Sequence, residues 1–224
     1  MNEVQYTESI RLAIKLIKDC DFVGDYNKSP AYPRNMANQL RNLTYEDEWK
    51  RVISNQWYNI QLEDNSILQF TGTSYRYLMV PYEALTLEEF IKENFSDPEY
   101  LEDDELYTGV TEGYQSFIES CTTNRSPTPV RFDADYCEDH FCSISHPVCH
   151  FHIGIDNNSR IPTKKHLSPF AFVAFILRTF YPQVWKLYIQ SELHTENISK
   201  FKTNLNNIPS NKWDDLQENL FYLG

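Results

Sequence analysis

The stretch Val130–Gly154, VRFDADYCEDHFCSISHPVCHFHIG, holds four of the six histidines and three of the five cysteines in a chain of 224 residues. It also contains an Arg-x-Asp and a His-x-His, each set in an alternating run of apolar residues. Imidazole titrates near neutrality and can serve as general acid, general base or metal ligand. A carboxylate can orient an imidazole, and a guanidinium can grip a phosphate through two parallel hydrogen bonds. The candidate catalytic residues are therefore Arg131, Asp133, His146, His150 and His152. His150, His152 and Asp133 could instead hold a divalent metal with open coordination positions. Both arrangements suit phosphodiester cleavage. The plainer alternative is an exposed polar sheet face with histidines as surface filler.

These residues need two strands to bring them together. Alternate side chains of a strand share a face. In 130–135, Val130, Phe132 and Ala134 point one way, and Arg131, Asp133 and Asp135 the other. In 148–155, Cys149, Phe151, Ile153 and Ile155 share the apolar face, opposite His150, His152 and Gly154. If the strands pair over one core, Arg131, Asp133, His150 and His152 lie together on the other face, with His146 at the mouth. Cys137, His140, Cys142 and His146 offer a rival zinc set in the connecting loop, with Cys149 close by in sequence. Their spacing lacks the paired knuckles of a zinc finger, and the thiols also fit small apolar residues.

The net charge of −12 argues against a general nucleic-acid coat. The charge is polarised along the chain. Ten acidic residues face Lys92 alone between Glu83 and Glu105, whereas residues 157–191 carry five basic residues and no acid. Arg160, Lys164 and Lys165 follow the His-x-His strand directly and are candidate substrate-binding residues. Five cysteines without repeating spacing do not read as a disulfide framework. The start of the chain lacks the pattern of a signal peptide, and its most apolar run, Phe170 to Leu177, is too short for a bilayer span. A cytoplasmic protein with no membrane association is expected.

The remaining elements frame the site. Residues 4–18 form an amphipathic helix, 25–34 a loop, and Thr44 with Asp47 caps a helix to about Ile53. Tyr58 to Phe70 reads as a hairpin turning at Asp64-Asn65-Ser66, and Ser74–Val80 as a third strand. Thr86 and Glu89 open a short helix. An acidic loop from Asp97 to Glu105 and a helix to about Ser120 follow. Ser168 and Pro169 start a buried helix, apolar nearly all round, that ends before Pro182. Residues 183–222 look helical and polar, with breaks near 206–211. The expectation is a single α+β domain over 1–224, an antiparallel sheet of about five strands packed against helices. A helical section 1–55 precedes the sheet at 56–155, which carries an acidic helical insertion at 82–125, and a helical section 168–222 closes the chain. A chain of this length buries roughly 70% of its unfolded surface and needs no staples.

The run His146-Pro147-x-x-His150-x-His152-Ile153-Gly154, after Arg131-Phe132-Asp133 and before Arg160-Ile161-Pro162, resembles the bacterial family of unknown function DUF2290. Leu167-Ser168-Pro169 to Tyr181-Pro182, Leu62-x-Asp64-x-Ser66-Ile67-Leu68-Gln69-Phe70 and Tyr75-x-Tyr77 carry the same likeness. A looser resemblance is to small toxin proteins of bacterial toxin–antitoxin pairs, which share the Leu-x-Asp-x-Ser hairpin, the Tyr-x-Tyr strand, an Arg-Tyr-Asp strand and a His-x-His. Here Phe132 replaces the tyrosine, and the insertion at 82–125 departs from that pattern. The looser resemblance implies a nuclease-like toxin or antiviral defence effector.

Two functional readings follow. One is a phosphodiesterase, RNA preferred, with a divalent metal as candidate cofactor and RNA or another phosphate-bearing molecule as substrate. The other is a non-catalytic interaction subunit of a bacterial defence or toxin–antitoxin complex, bound to a protein partner from the same operon. Fifteen tyrosines and fourteen phenylalanines are more than a core requires, which suits an interface.

Overall fold

The computed structural model describes residues 1–82, 85–95, 104–121, 126–156, 158–191, 200–202 and 205–223. Most of the expected acidic loop (96–103), residues 122–125 and residues 192–199 of the expected polar tail lie outside them. The chain builds an α+β fold on an antiparallel sheet whose seven strands follow one another in sequence order. They are β1 (Val23–Tyr26), β2 (Ile60–Leu62), β3 (Ile67–Phe70), β4 (Ser74–Leu78), β5 (Val130–Ala134), β6 (Cys149–Ile153) and β7 (Ile161–Pro162). A separate ribbon pairs β8 (Lys165–His166) with β9 (Asn206–Asn207).

β2 to β6 are the five expected strands; the edges β1 and β7 are additional. β1 runs from Val23 into the segment read as a loop from Asp25. Its sequence, Val-Gly-Asp-Tyr, has little apolar alternation, and its backbone gains order by pairing with β2. Gly24 is required there, because a Cβ would stand 2.9 Å from the Leu62 carbonyl oxygen.

Two cores sandwich the sheet. On one face lie α1 (Glu3–Asp19) and α6 (Pro169–Phe180). α1 opens with a reciprocal cap between Asn2 and Gln5 and buries Ile10, Ala13, Ile14 and Ile17. α6 is capped by Ser168, has Pro169 in its first turn and is buried along most of its length. Both pack on Tyr75, Phe132 and Phe151. The Phe132 ring lies 5.4 Å from Tyr75 and 5.5 Å from Phe151, centroid to centroid.

The other face carries α2 (Met36–Leu40), α3 (Tyr45–Ser54), α4 (Leu87–Asn94) and α5 (Asp104–Ser120). Trp49, Val52 and Ile53 of α3 join Ile67, Leu78, Tyr114 and Ile118 in a second core. Thr44 and Thr86 cap α3 and α4 as expected. The helical insertion therefore packs on the sheet through α5. α7 (Pro182–Gln190) and α8 (Asp215–Asn219) belong to the C-terminal section. Among the described residues no helix is long and apolar enough to cross a membrane.

Phe132 is fully buried between two aromatic neighbours. Phe132→Ala is expected to lower stability by about 3–5 kcal/mol through lost burial and a residual cavity. Urea unfolding read by fluorescence checks this, and a loss below about 1 kcal/mol would contradict the packing described.

Candidate functional site

The site is set by strand register. β5 and β6 pair with Arg131 opposite His152, Phe132 opposite Phe151 and Asp133 opposite His150. Phe132 and Phe151 turn into the first core, so Arg131, Asp133, His150 and His152 share the other face. β4 extends the pattern, with Ser74 opposite Asp133 and Arg76 opposite Arg131, and β3 places Gln69 opposite Arg76. Two polar rows thus cross the sheet. One runs Gln69–Arg76–Arg131–His152, the other Ser74–Asp133–His150.

This polar face is not an open surface. His150 and His152 are 1% and 2% exposed, which rules out histidines as exposed filler. Buried polar groups need partners, and here they partner one another. His150 Nδ1 lies 2.6 Å from the Pro147 carbonyl oxygen. A carbonyl only accepts, so Nδ1 carries the proton and Nε2 presents its lone pair. His152 Nε2 stands 3.0 Å from His150 Nε2 and 3.2 Å from Asp133 Oδ2. The Asp133 carboxylate is fixed in turn: Ser74 donates to Oδ1 at 2.7 Å and Arg131 Nε to Oδ2 at 2.8 Å.

One ligand atom from each of Asp133, His150 and His152 lies within 4.8 Å of the others. Two imidazoles and a carboxylate at this spacing form the donor set that binds a first-row divalent metal and leaves positions open. The outer partners are those such a site requires, with Pro147 fixing one ring and Ser74 and Arg131 fixing the carboxylate. The electrostatics agree. Burial alone would raise the Asp133 carboxyl, but the hydrogen bond to His152, the Arg131 charge and the Ser74 hydroxyl outweigh it and hold the group at about 2. Burial drives His150 down to about 4, against the upward pull of the Pro147 hydrogen bond. Both groups stay in their metal-binding protonation states at neutral pH.

Asp133 and Arg131 also line a cleft of about 640 Å³ between α2–α3 and β4–β5. Arg41, Arg76 and Arg131 face it, against the carboxylates of Glu48 and Asp133. Met36, Leu40 and Tyr45 supply an apolar wall. Arg76 forms an ion pair with Glu48 and bonds Gln69 Oε1 at 3.1 Å. Its surplus of guanidinium groups contrasts with the acidic balance of the whole chain.

The other expected residues fall elsewhere. The His146 ring stands 5.1 Å from that of His150, while its Nε2 turns to Asp135 Oδ2 at 3.4 Å. Arg160, Lys164 and Lys165 are not among the residues lining the cleft. Lys164 binds Glu218 at 2.8 and 2.9 Å, and Lys165 pairs with Asn207 in the ribbon. Cys137 and Cys142 are exposed. Cys149 lies in the first core, where burial pushes its thiol up to about 12. Ile153 and Ile155, expected on the apolar face, are 40% and 51% exposed. Gly154, at φ +93°, ends the alternation between them, and Ile155 turns to the cleft. Ser74, Arg76, Gln69 and Glu48 were missed as site residues. Pairing of β3, β4 and β5 reveals the first three and the Arg76 ion pair reveals Glu48, although Ser74 and Arg76 do alternate with Tyr75 and Tyr77.

The family model described as "Uncharacterized conserved protein (DUF2290)" matches residues 27–213. No curated protein and no solved structure matches.

The histidines give the fold a signed pH dependence. His150 falls from its ordinary 6.5 to about 4, and burial takes His166 to about 4 as well. As pH drops, the unfolded chain takes up these protons first. Their contribution is therefore complete above about pH 6.5 and lost towards pH 4. Asp133 follows the same sense lower down, losing its contribution from about pH 4 towards 2. In metal-free protein the urea midpoint is expected to fall between pH 6.5 and 4, and His150→Gln to flatten that slope. An unchanged slope in the variant contradicts the assignment.

Proposed function

The chain belongs to the DUF2290 family, and we propose that it is a metal-dependent phosphodiesterase acting on RNA. The observation that carries this reading is the convergence of Asp133, His150 and His152 beside a cleft faced by three arginines. Asp133, His150 and His152 would hold a divalent ion such as Mn²⁺ or Zn²⁺. Such an ion lowers the pKa of bound water and polarises a phosphoryl oxygen.

The chain's own residues do the rest. Arg131 keeps its Nε on Asp133 and leaves its terminal nitrogens for an end-on grip on phosphate. Arg76, opposite it on β4, adds a second positive charge where negative charge grows in the transition state. The cleft volume lies in the range of small-molecule sites, which suits one nucleotide unit of a single strand rather than a duplex. Positive charge focused in a cleft of an acidic protein also draws an anionic substrate to that place rather than to the surface at large. Arg160, Lys164 and Lys165 remain candidate contacts for the strand beyond the cleft. The resemblance to small toxins supports a setting for this activity, that of a toxin or antiviral defence effector.

Single-stranded RNA, double-stranded RNA and DNA are the substrates to assay, each with Mn²⁺, Zn²⁺ and Mg²⁺ and after chelation. Hydrolysis of single-stranded RNA is expected, abolished by chelator and restored by metal. Loss of outer partners of metal ligands typically costs 10–100-fold, so His152→Ala and Asp133→Asn should lower kcat/KM by about 100-fold or more. Arg131→Ala is expected to lower it by at least about tenfold. Wild type and His152→Ala cleaving equally fast would refute the assignment, as would absence of hydrolysis with every metal.

A further inference from the structure

The cleft beside the triad contains one group that the phosphate chemistry leaves unused. Glu48 lines it, and a carboxylate repels an anionic substrate unless it meets hydrogen-bond donors. Its place is fixed from both sides. On α3 it precedes Trp49, which is fully buried and donates its indole N–H to the Asn65 carbonyl at 3.1 Å. Across from it stands Arg76, which pairs with Glu48 through one terminal nitrogen and donates to Gln69 Oε1 at 3.1 Å through the other. Gln69 is held in turn, because its Nε2 donates to the Trp57 carbonyl. A carboxylate accepts up to about four hydrogen bonds, so Glu48 keeps room for the donors of a ligand.

The sheet sets where those donors belong. Arg76 lies opposite Arg131, one strand spacing of about 4.8 Å away. Arg131 in turn lies opposite His152, so it comes between the Glu48–Arg76 pair and the histidines of β6. A nucleotide has the same two-ended form, with a phosphate at one end and a base at the other. A phosphate gripped by Arg131 beside the triad leaves the base to the Glu48 end. There Met36, Leu40 and Tyr45 form a wall for it to lie against, and Tyr45 is anchored by its hydroxyl, which donates to the Met79 carbonyl at 2.6 Å.

The four bases differ in what they offer a carboxylate. Guanine presents two adjacent donors, N1–H and the N2 amino group, one for each carboxylate oxygen. Adenine and cytosine set a single amino donor beside a ring-nitrogen lone pair, and uracil sets one N–H between two carbonyls. Each of these three turns an acceptor against the carboxylate. We propose that Glu48 makes the cleft selective for guanine, so that the substrate is single-stranded RNA bound at a guanosine; this rests on the phosphodiesterase reading of the same site. Arg41 lines the cleft too, and its guanidinium bonds to no other group among the described residues. It is the donor for guanine O6, an acceptor that guanidinium groups favour.

Equilibrium binding of GMP, AMP, CMP and UMP to the full chain, held metal-free by chelator, reads this choice without requiring hydrolysis. Wild type is expected to bind GMP at least about tenfold more tightly than the other three. Glu48→Gln, in protein that keeps its circular dichroism, should bind AMP more tightly than GMP, because an amide accepts from the adenine amino group and donates to adenine N1. A purely structural role for Glu48 gives no such exchange. Arg41 is exposed, so Arg41→Ala leaves the cores intact, and it should weaken GMP binding by at least about tenfold with AMP unchanged. Equal binding of all four by wild type would overturn guanine selectivity and leave the phosphodiesterase reading standing. Preference for GMP without hydrolysis of any RNA would do the reverse. Binding of none of the four by wild type would also overturn the guanine site, and so would a GMP preference that survives Glu48→Gln.

Discussion

The register between β5 and β6 is the constraint on which the rest depends. Side chains alternate across a sheet with a period of two, so a slip of one residue would send Phe132 or Phe151 to the polar face and bury Asp133 or His150 in the apolar core. The native register instead sets Phe132 against Phe151 and, on the reverse face, Asp133 against His150. Aromatic packing on one face thereby fixes the positions of the chemical groups on the other. The same pairing extends through β4, where Tyr75 stacks on Phe132 while Ser74 bonds Asp133. A single apolar stripe aligns carboxylate, hydroxyl and guanidinium at once.

The second constraint is burial of polar groups on half a sheet face. Over β3 and β4 that face is closed by α3 and α5 through an apolar core. Over β5 and β6 it carries the buried imidazoles of His150 and His152 beside the part-exposed Asp133 carboxylate. Unpaired, each would cost roughly 1–3 kcal/mol or more, and a lone charge more still. Mutual hydrogen bonds meet that demand, with His152 Nε2 lying between His150 Nε2 and the Asp133 carboxylate. The cleft opens at the boundary between the two halves. Its apolar wall comes from α2 and α3, and its guanidinium groups come from α2 and the polar rows.

Much of this was legible in the chain. Period two in VRFDA and CHFHI was enough to collect Arg131, Asp133, His150 and His152 on one face, and caps at Thr44, Thr86 and Ser168 placed three helix starts. What escaped depends on pairing between distant segments. β1 carries little apolar alternation and takes its order from β2. Arg76 became part of the site only through β4 lying beside β5, a neighbour relation that no local pattern encodes. The depth of burial was hidden as well, since a polar row reads the same whether it faces solvent or closes on itself. The basic block after β6 misled by proximity in sequence, because the chain carries Lys164 and Lys165 into a ribbon with β9 while α2 and β4 bring Arg41 and Arg76 to the cleft.

The central question is whether Asp133, His150 and His152 bind a metal together. A crystal structure of the protein grown with Mn²⁺, with anomalous diffraction recorded at the manganese edge, addresses this directly. One anomalous peak is expected about 2.0–2.3 Å from His150 Nε2, His152 Nε2 and an Asp133 carboxylate oxygen, with His150 Nδ1 still bound to the Pro147 carbonyl. No peak at that position under saturating Mn²⁺, with the His150–His152 hydrogen bond intact, would contradict it.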